Sequence, residues 1–553
     1  MKILGAALGN CIHVEGLLNF LNLAKQCGLE IIFLGPAVPL EKVVENVLAH
    51  KPDIVAISYR LAPETAKALF TELKRRLDEE CAGIKTRLVF GGTPPVGEIA
   101  RAIGIFDAVF TGEENIQQVI AYLKGEKIEQ KEETYSQDLV TRIKQKAPFP
   151  LIRHHFGLPK LEETINGAKL IAESSVLDIL SLAPDQNAQS YFFQPKEMDT
   201  KLDGAGGVPI RKKEDLRAIY DATRCGNFPL VRCYSGTQDL VKWAEMLKEE
   251  IDNCWGAVPL CWYSQLDGRS PRELLDAIKE NQIAIRWHAE HNIPVEVTDS
   301  HQWALRGSGD TIEVATAFLA AWNAKRLGVK DYVQQYMFNT PPGMSPRMDI
   351  AKMLAKYELV KSIQDNDFRV YTMVRTGLSF LSPDQHTAKG QLAFSLITAL
   401  TLQPNIVHVV GYSEGDHAAT PPEIIESCKL ANGVIRSAIL LGLPNMIDEV
   451  VLIRKAELIK DANVLLNAIR NISSNKEDPL GDPETLVMSI KEGLLDAPQL
   501  KGNRYAKGAI VTNIVDGACR VVDPQTLRPM TEAERLRRFG LEMADVKLDR
   551  MGW

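Results

Sequence analysis

The first 124 residues alternate short apolar runs with amphipathic segments, and this alternation most constrains the fold. Runs rich in apolar and β-branched residues predict strands at 2–8, 29–34, 53–58, 87–91 and 107–110. Helical periodicity lies between these runs, for example over 41–49 and 66–77. Strands that alternate with helices are typical of an open parallel sheet. We therefore predict an α/β domain over residues 1–125.

A longer alternation follows a charged segment. Residues 126–155 carry many charges and few core residues, so we predict a linker there. Repeated strand–helix units over 156–475 predict a (β/α)8 TIM barrel, and 476–553 a C-terminal extension that packs on it. The predicted barrel strands are 176–182, 229–234, 257–263, 283–286, 293–298, 332–338, 369–373 and 406–411.

Composition excludes several classes of function. The net charge is -7 and the pI is about 5.9, so nothing favours nucleic acid. The nine cysteines show no Cys-x-x-Cys spacing, which argues against an iron–sulfur or structural zinc site. Met1-Lys2-Ile3 leads directly into a strand, and apolar stretches are too short to span a membrane. We expect a cytoplasmic protein without signal peptide or membrane partner.

His13 lies on the loop after the first predicted strand and begins a His-x-x-Gly spacing that ends at Gly16. Ser58 follows the third strand, and Gly91-Gly92 follows the fourth. The carboxyl ends of parallel strands meet at one edge of a sheet, where ligands of such folds bind. The residues predicted to bind a ligand there are Asn10, Cys11, His13, Gly16, Ser58, Gly91, Gly92 and Gly112.

These marks resemble the cobalamin-binding, flavodoxin/Rossmann-like domain of corrinoid enzymes. The resemblance implies that His13 replaces the dimethylbenzimidazole base as the lower ligand of cobalt. It also implies that Ser58 and the two glycines let the nucleotide tail of the corrinoid pass close to the backbone. The family pattern is Asp-x-His-x-x-Gly, and Cys11 stands at the aspartate's position. A carboxylate would orient the imidazole and raise its basicity, which a thiol does poorly.

Polar clusters follow several predicted barrel strands, at the end where barrel enzymes build their active sites. Arginines there would bind carboxylates through a bidentate fork. The histidines and aspartates among them could transfer protons, hydrogen-bond a substrate or form a metal set. The candidate catalytic residues are Arg232, Arg269, Arg286, His288, Asp299, His301, Tyr336, Glu414, Asp416 and His417.

The long region is similar to the barrel (epsilon) subunit of cobalamin-dependent glutamate mutase, also called methylaspartate mutase. The resemblance implies that Arg286 grips a substrate carboxylate. Val333-Gln334-Gln335 replaces the family's Glu-Gly-Gly and removes the carboxylate expected to bind the substrate ammonium. The segments that carry the likeness are Arg286-Trp287-His288, Tyr336 to Pro342, Gly411-Tyr412-Ser413-Glu414-Gly415, Lys460-Asp461-Ala462-Asn463 and Gly493 to Pro498.

The two resemblances together imply a cobalamin-dependent carbon-skeleton isomerase that acts by radical rearrangement on a small acidic substrate. Arg232, Arg269 and Arg286 would anchor the substrate, and His288, His301 and Tyr336 would shape the site. The expected cofactor is adenosylcobalamin rather than methylcobalamin, and the expected assembly is a homo-oligomer, a dimer. Two alternatives stay open: a corrinoid-dependent methyltransferase, and a non-catalytic corrinoid carrier or sensor.

Overall fold

The computed structural model describes residues 1–112, 114, 116–125, 135–538 and 540. The chain forms two compact units. The first comprises residues 1–134 and 436–442, and the second comprises 135–435 and 443–553. Residues 126–134 of the predicted linker and the C-terminal residues after 540 lie outside the described part of the chain.

The first unit is a five-stranded parallel sheet in the order β2-β1-β3-β4-β5, so its α/β class is confirmed. Its strands are β1 (Lys2–Leu8), β2 (Glu30–Val38), β3 (Ile54–Tyr59), β4 (Arg87–Gly92) and β5 (Ala108–Phe110). Its helices are α1 (Glu15–Gln26), α2 (Leu40–His50), α3 (Pro63–Glu80), α4 (Pro94–Ile103) and α5 (Ile116–Lys124).

The structure confirms the predicted strands of this unit. The sequence reveals them because the central strands are buried on both faces. β3 is buried at every position, and β1 at all but its first residue. Strands covered on both faces are continuous apolar runs, and the sequence shows them directly. The edge strand β2 is largely half-buried or exposed, and it runs four residues beyond the predicted end at 34.

The second unit is built around an eight-stranded parallel sheet. Its strands are β6 (Leu151–Phe156), β7 (Ile179–Leu182), β8 (Leu230–Cys233), β9 (Gly256–Val258), β10 (Val295–Val297), β11 (Asp331–Phe338), β12 (Arg369–Thr376) and β13 (Ile406–His408). The helices up to α13 are α6 (Leu139–Lys146), α7 (Leu161–Glu173), α8 (Gln186–Tyr191), α9 (Lys213–Ala222), α10 (Leu240–Ile251), α11 (Leu274–Glu290), α12 (Asp299–Leu305) and α13 (Asp310–Arg326). The later helices are α14 (Pro346–Lys361), α15 (Gln385–Ala399), α16 (Pro421–Leu441), α17 (Glu449–Ile472), α18 (Pro483–Lys491) and α19 (Glu532–Arg538). A hairpin of β14 (Val511–Val515) and β15 (Ala518–Val522) lies between the last two helices.

The strand order β8-β7-β6-β13-β12-β11-β10-β9 makes this sheet a nearly closed barrel, which confirms the predicted fold class. At the seam between β8 and β9, the Cys254 N–H donates to Val231 O at 3.0 Å. The Cys233 N–H donates to the Asn253 side chain at 2.9 Å. These two bonds join the edges where the strand ladder itself is interrupted.

One predicted barrel strand is wrong and one barrel strand was missed. Residues 283–286 belong to α11, where Ala277, Ile278, Ala284 and Ile285 are buried and Ile283 is 57 % exposed, a helical period. Leu151–Phe156 is the first barrel strand, and all of it but Phe156 falls in the predicted linker segment 126–155. The sequence does not show it as a core strand because the polar residues Arg153, His154 and His155 lie at its centre.

A buried ion-pair network ties the outer helices of the second unit together. Lys352 on α14 lies 2.8 Å from Glu313 on α13, and Lys356 approaches the other oxygen of that carboxylate at 2.8 Å. Arg454 on α17 pairs with Asp310 on α13 at 3.0 Å. All of these charges are buried, so removal of one partner would leave the other as an unpaired buried charge and destabilise the fold.

Candidate functional site

The first unit contains a cavity of about 520 Å³ on the carboxyl side of its sheet. Of the eight predicted ligand-binding residues, the six that line it are His13, Gly16, Ser58, Gly91, Gly92 and Gly112. They come from the β1–α1 loop, the first turn of α1, and the ends of β3, β4 and β5. The sheet topology therefore gathers residues that are up to about a hundred positions apart in sequence.

His13 is exposed on the loop before α1, and within the described residues its imidazole makes no hydrogen bond. The other two predicted residues do not line the cavity. Cys11 is fully buried in the apolar core of the unit, and Asn10 accepts a hydrogen bond from the Tyr59 hydroxyl at 3.3 Å. A thiol behaves as a small apolar group, so Cys11 packs inward and does not orient His13.

The glycines show that the cavity suits a ligand that passes close to the backbone. A Cβ added at Gly16, Gly91 or Gly112 would meet no atom within 4 Å, so a side chain there would project into open space. Gly92 differs, because its added Cβ would lie 2.3 Å from the Tyr59 carbonyl oxygen. Gly92 is thus required by the packing of β4 on β3. The three open glycines, beside the exposed imidazole of His13, therefore leave room for a ligand against the backbone.

Glu114 lines the same cavity, although it is not among the residues predicted from the sequence. Its carboxylate accepts the Thr111 N–H at 2.8 Å and the Gly112 N–H at 2.9 Å. Burial alone would raise the pKa of Glu114, but these hydrogen bonds outweigh it and lower the pKa. Glu114 therefore stays ionised and fixes the loop that carries Gly112.

In the second unit, the barrel lumen holds two buried arginines that flank one indole. The Arg153 guanidinium lies 5.2 Å from the centre of the Trp255 ring, and that of Arg232 lies 4.9 Å from it. The two residues are 2 % and 1 % exposed. Two like charges held this close in a dry interior need a counter-charge.

The protein supplies one carboxylate to these arginines. Glu296 on β10 lies 3.7 Å from Nη1 of Arg232 and accepts the Trp255 Nε1–H at 3.1 Å. Arg153 donates to the Ser181 hydroxyl at 3.2 Å. Within the described chain, Nε of Arg153 and both Nε and Nη2 of Arg232 are buried without a hydrogen-bond partner. Unpaired guanidinium nitrogens in a lumen are ready to bind an anion.

Neutral histidines surround the arginines. Nε2 of His155 accepts the Tyr234 hydroxyl at 2.9 Å and lies 3.2 Å from Nη2 of Arg153. Burial, with Arg153 and Arg232 adding to it, lowers the pKa of His155 well below its usual value. Burial likewise lowers the pKa of His408, whose ring centre is 4.4 Å from that of His155. Nδ1 of each ring is buried without a partner among the described residues.

Three of the predicted catalytic residues lie in or beside the lumen. Arg232 is described above, and His301 on α12 contacts the Gln335 amide at 2.8 Å. Burial lowers the pKa of His301 well below its usual value. Glu414, on the turn after β13, accepts the Gly411 N–H at 2.9 Å and lies 3.3 Å from Nε2 of His154.

Asp299 has a structural role instead. Its carboxylate accepts the backbone N–H of Cys261 at 3.0 Å and that of Leu260, which holds α12 against the loop after β9. Burial raises the pKa of Asp299 to about 6.

Four further predicted catalytic residues are exposed, unlike the buried arginines of the lumen. Arg286 is exposed on α11, and Arg269 is exposed on a loop 3.8 Å from Asp267. Asp416 and His417 are exposed neighbours that pair at 2.9 Å. The wrong strand at 283–286 misplaced Arg286, and the other three lie on loops that extend beyond the strand ends.

Two more predicted residues are buried on the outer side of the barrel strands. His288 packs from α11 against Gly256, where a Cβ would lie 2.3 Å from its Nε2. Tyr336 alternates with the lumen residue Gln335 along β11, and its ring lies 6.3 Å from that of Tyr357 on α14. Neither residue belongs to the site that the arginines form.

The sequence-based search missed Arg153, His155, Trp255, Glu296 and Arg375. Their spacing in the sequence could have revealed two of these residues. Arg153 and His155 are two positions apart on β6, and Arg232 on β8 is two positions before Tyr234. Residues two apart on a strand lie on the same face. Recognising it required knowing that Leu151–Phe156 is a strand.

Among the described residues no cluster of three or more histidine, cysteine or acidic side chains could hold a metal ion. The predicted metal set of His288, Asp299, His301, Asp416 and His417 is thus not assembled. In the same part of the chain, none of the helices has the length and apolar character needed to cross a membrane.

An open parallel sheet with a loop histidine, glycines and a cavity at its carboxyl edge defines a domain class that binds nucleotide-bearing cofactors. The comparison with known families is more specific. Residues 1–121 match the family described as the B12 binding domain. The first unit therefore contains a B12-binding domain, in agreement with the cobalamin resemblance seen in its sequence.

Two solved structures are similar to parts of the chain. A cobalamin-binding protein from Desulfitobacterium hafniense DCB-2 is 24% identical, with 22% of this chain and 55% of that chain covered and a TM-score of 0.19. This chain thus spans about half the length of that protein. The cobalamin-dependent S-adenosylmethionine radical enzyme OxsB, with aqua-cobalamin and S-adenosylmethionine bound, is 11% identical over 84% of this chain and 55% of its own, with a TM-score of 0.20. Scores this low carry no argument about the fold or activity of the whole chain.

Proposed function

We propose that this protein is a cobalamin-dependent enzyme, a glutamate-mutase-like isomerase that rearranges the carbon skeleton of a small acidic substrate by radical chemistry. The observation that carries the proposal is the combination of a B12-binding domain with a barrel whose lumen buries arginine nitrogens that have no hydrogen-bond partner in the described chain. A carrier or sensor would have no use for such a lumen. Burying uncompensated charge costs several kcal/mol, roughly, and is retained where a ligand completes it.

The first unit would hold the cofactor. His13 would be the lower ligand of cobalt, and Ser58 with the open glycines Gly91 and Gly112 would accommodate the nucleotide tail. Bound adenosylcobalamin would supply a cobalt–carbon bond whose homolysis starts radical chemistry. Because Cys11 packs into the core, it would not fix the tautomer of His13 as the family's aspartate would.

The barrel would bind and orient the acid. The free nitrogens of Arg153 and Arg232 would take a substrate carboxylate, with Trp255 as a rigid wall between the two guanidinium groups. His155 accepts the Tyr234 hydroxyl through Nε2, so its neutral form carries the proton on Nδ1 and would donate it in a hydrogen bond. The buried lumen would exclude water from reactive species.

The proposal is tested with the full chain reconstituted with adenosylcobalamin and exposed to small carboxylic acids. Electron paramagnetic resonance that shows a cob(II)alamin–radical pair only when an acid is present supports the isomerase. A methylated corrinoid after incubation with a methyl donor would support the methyltransferase alternative. Cobalamin uptake without either signal, across the acids tested, would leave a carrier or sensor.

A further inference from the structure

The polar groups that face the arginine site are mostly hydrogen-bond donors. Arg153 and Arg232 contribute three unpartnered N–H-bearing nitrogens, and His155 contributes Nδ1, all buried in the described chain. Arg375 on β12 is half-buried and adds a third guanidinium, since its Nε donates only to Thr376 O at 3.1 Å. A ligand that completes this lumen must be rich in acceptors.

Acceptors for a cation are scarce by comparison. Glu296 is 2 % exposed, lies 3.7 Å from Arg232, and already accepts from Trp255. An ammonium group placed beside it would also lie beside the Arg232 guanidinium and be repelled. Gln335, on the lumen face of β11, is a neutral amide that contacts His301. Glu414 is held by the Gly411 N–H and lies beside His154.

We infer that the barrel takes an organic acid without an ammonium group, a carboxylate whose remaining substituents are alkyl, hydroxyl, carbonyl or a second carboxyl group. This inference rests on the proposed function and names the substrate class of the same site. The carboxylate contacts the unpartnered nitrogens of Arg153 and Arg232, and the remainder, which carries no ammonium group, lies along Trp255 and Met373. Arg153 donates to the Met373 sulfur at 3.1 Å, so an apolar side chain lines that wall.

The test uses two matched pairs of probes that differ only in the ammonium group: glutarate with glutamate, and butyrate with 2-aminobutyrate. Binding to the full cobalamin-loaded chain is measured by calorimetry. We expect the ammonium-free member of each pair to bind at least about tenfold more tightly, the factor that one repelled or unsatisfied charge costs. Equal or tighter binding of the ammonium-bearing members overturns the inference, and so does binding of none of the four.

Variants assign the binding to the lumen. Arg153→Met, and Arg232→Met combined with Glu296→Gln, should each abolish measurable binding of glutarate. The second variant changes both residues because Arg232 pairs with Glu296, and removal of the arginine alone would leave a buried carboxylate without its cation. Circular dichroism of both variants checks that they fold. Arg217→Met, on the exposed face of α9, is the matched control and should leave binding unchanged. If glutarate binds equally well to all three variants, the lumen is not the site.

Gln335→Glu provides a test by gain of function. The new carboxylate is nearly isosteric and adds the anion that an ammonium group needs. We expect the preference for glutarate over glutamate to fall about tenfold or more. Glu296→Gln is the converse: a selective loss of glutamate binding would show that Glu296 accepts an ammonium group and would overturn the inference. The absorption spectrum of bound cobalamin reports separately on the proposed function. The same titrations on the cobalamin-free full chain score its choice of acid even if the chain takes up no cobalamin.

Discussion

The Tyr234 hydroxyl donates to Nε2 of His155 at 2.9 Å, and the two rings are stacked with their centres 4.8 Å apart. Burial raises the pKa of Tyr234 to about 12, so the phenol keeps its proton across the physiological range. Nη2 of Arg153, which can only donate, lies 3.2 Å from the same Nε2, so Nε2 is the acceptor and neutral His155 carries its proton on Nδ1. Tyr234, which directly follows β8, thereby orients the His155 side chain of β6 toward the lumen.

Tyr234→Phe should weaken the binding of an organic acid about fivefold to tenfold, because one buried hydrogen bond contributes about 1 kcal/mol. Tyr336→Phe is the matched control. Its hydroxyl is buried without a partner in the described chain and lies on the outer side of β11, so binding should not change. Calorimetric titration of both variants with one acid decides the matter. A larger loss in Tyr336→Phe would place the site on the wrong side of the strand.

Cys11→Asp, which restores the family's aspartate, should destabilise the first unit by at least about 2 kcal/mol. The side chain at 11 is fully buried among apolar residues, and a carboxylate there would have to lose its hydration or its charge. Ile12→Asp is the control, because Ile12 is 67 % exposed. Chemical denaturation followed by circular dichroism measures both. Equal stability of the two variants would mean that position 11 can turn toward the loop and His13.

Glu313→Gln should lower the free energy of unfolding by about 3–5 kcal/mol, the cost of leaving a buried partner charge unpaired. Lys352 and Lys356 both depend on this carboxylate. Glu358→Gln removes a more exposed pair with Lys455 and should cost less than about 1 kcal/mol. Urea denaturation of both variants provides the comparison, and similar losses would contradict a structural role for the buried network.

Burial lowers the pKa of His288 to about 4, below its usual 6.5 in an unfolded chain. The unfolded state therefore binds this proton first as the pH falls, and stability is lost between pH 6.5 and 4, by about 3 kcal/mol at most. His288→Gln should flatten the dependence of unfolding free energy on pH by one proton in this window. His291→Gln, an exposed change on the next turn, should leave the slope intact. Equal slopes in the two variants would exclude a neutral buried His288.

The sequence predicts the first unit well because its strands are apolar throughout. Six of its eight proposed ligand residues come to the cavity, since loops after parallel strands share one edge. Cys11 and Asn10 fail for a local reason: the chain turns between Leu8 and His13, and a family pattern does not report which way each side chain points. Whether the six residues bind cobalamin stays a prediction.

The barrel is harder to predict because its polar interior resembles a surface. Arg153-His154-His155 would be a loop in most proteins, yet here it is buried strand. Residues 283–286 would be a strand by composition, yet they continue a helix whose buried positions follow a 3.6-residue period. One strand too many and one too few leave the predicted number of strands at eight. Because residues 283–286 are helical, however, Arg286 and His288 do not lie in the site. Arg232 on β8 is the one arginine that the sequence predicts for the site and that the described part of the lumen contains, where it faces Glu296.

Cobalamin titration of the full chain tests the central claim most directly, with His13→Ala beside His50→Ala, an exposed histidine at the end of α2. We predict that the unaltered chain and His50→Ala take up one cobalamin and show the same absorption spectrum. His13→Ala should bind more weakly or show a shifted spectrum, because the cobalt loses its imidazole ligand. Failure of the unaltered chain to bind cobalamin, or a spectrum that His13→Ala leaves unchanged, would contradict the account.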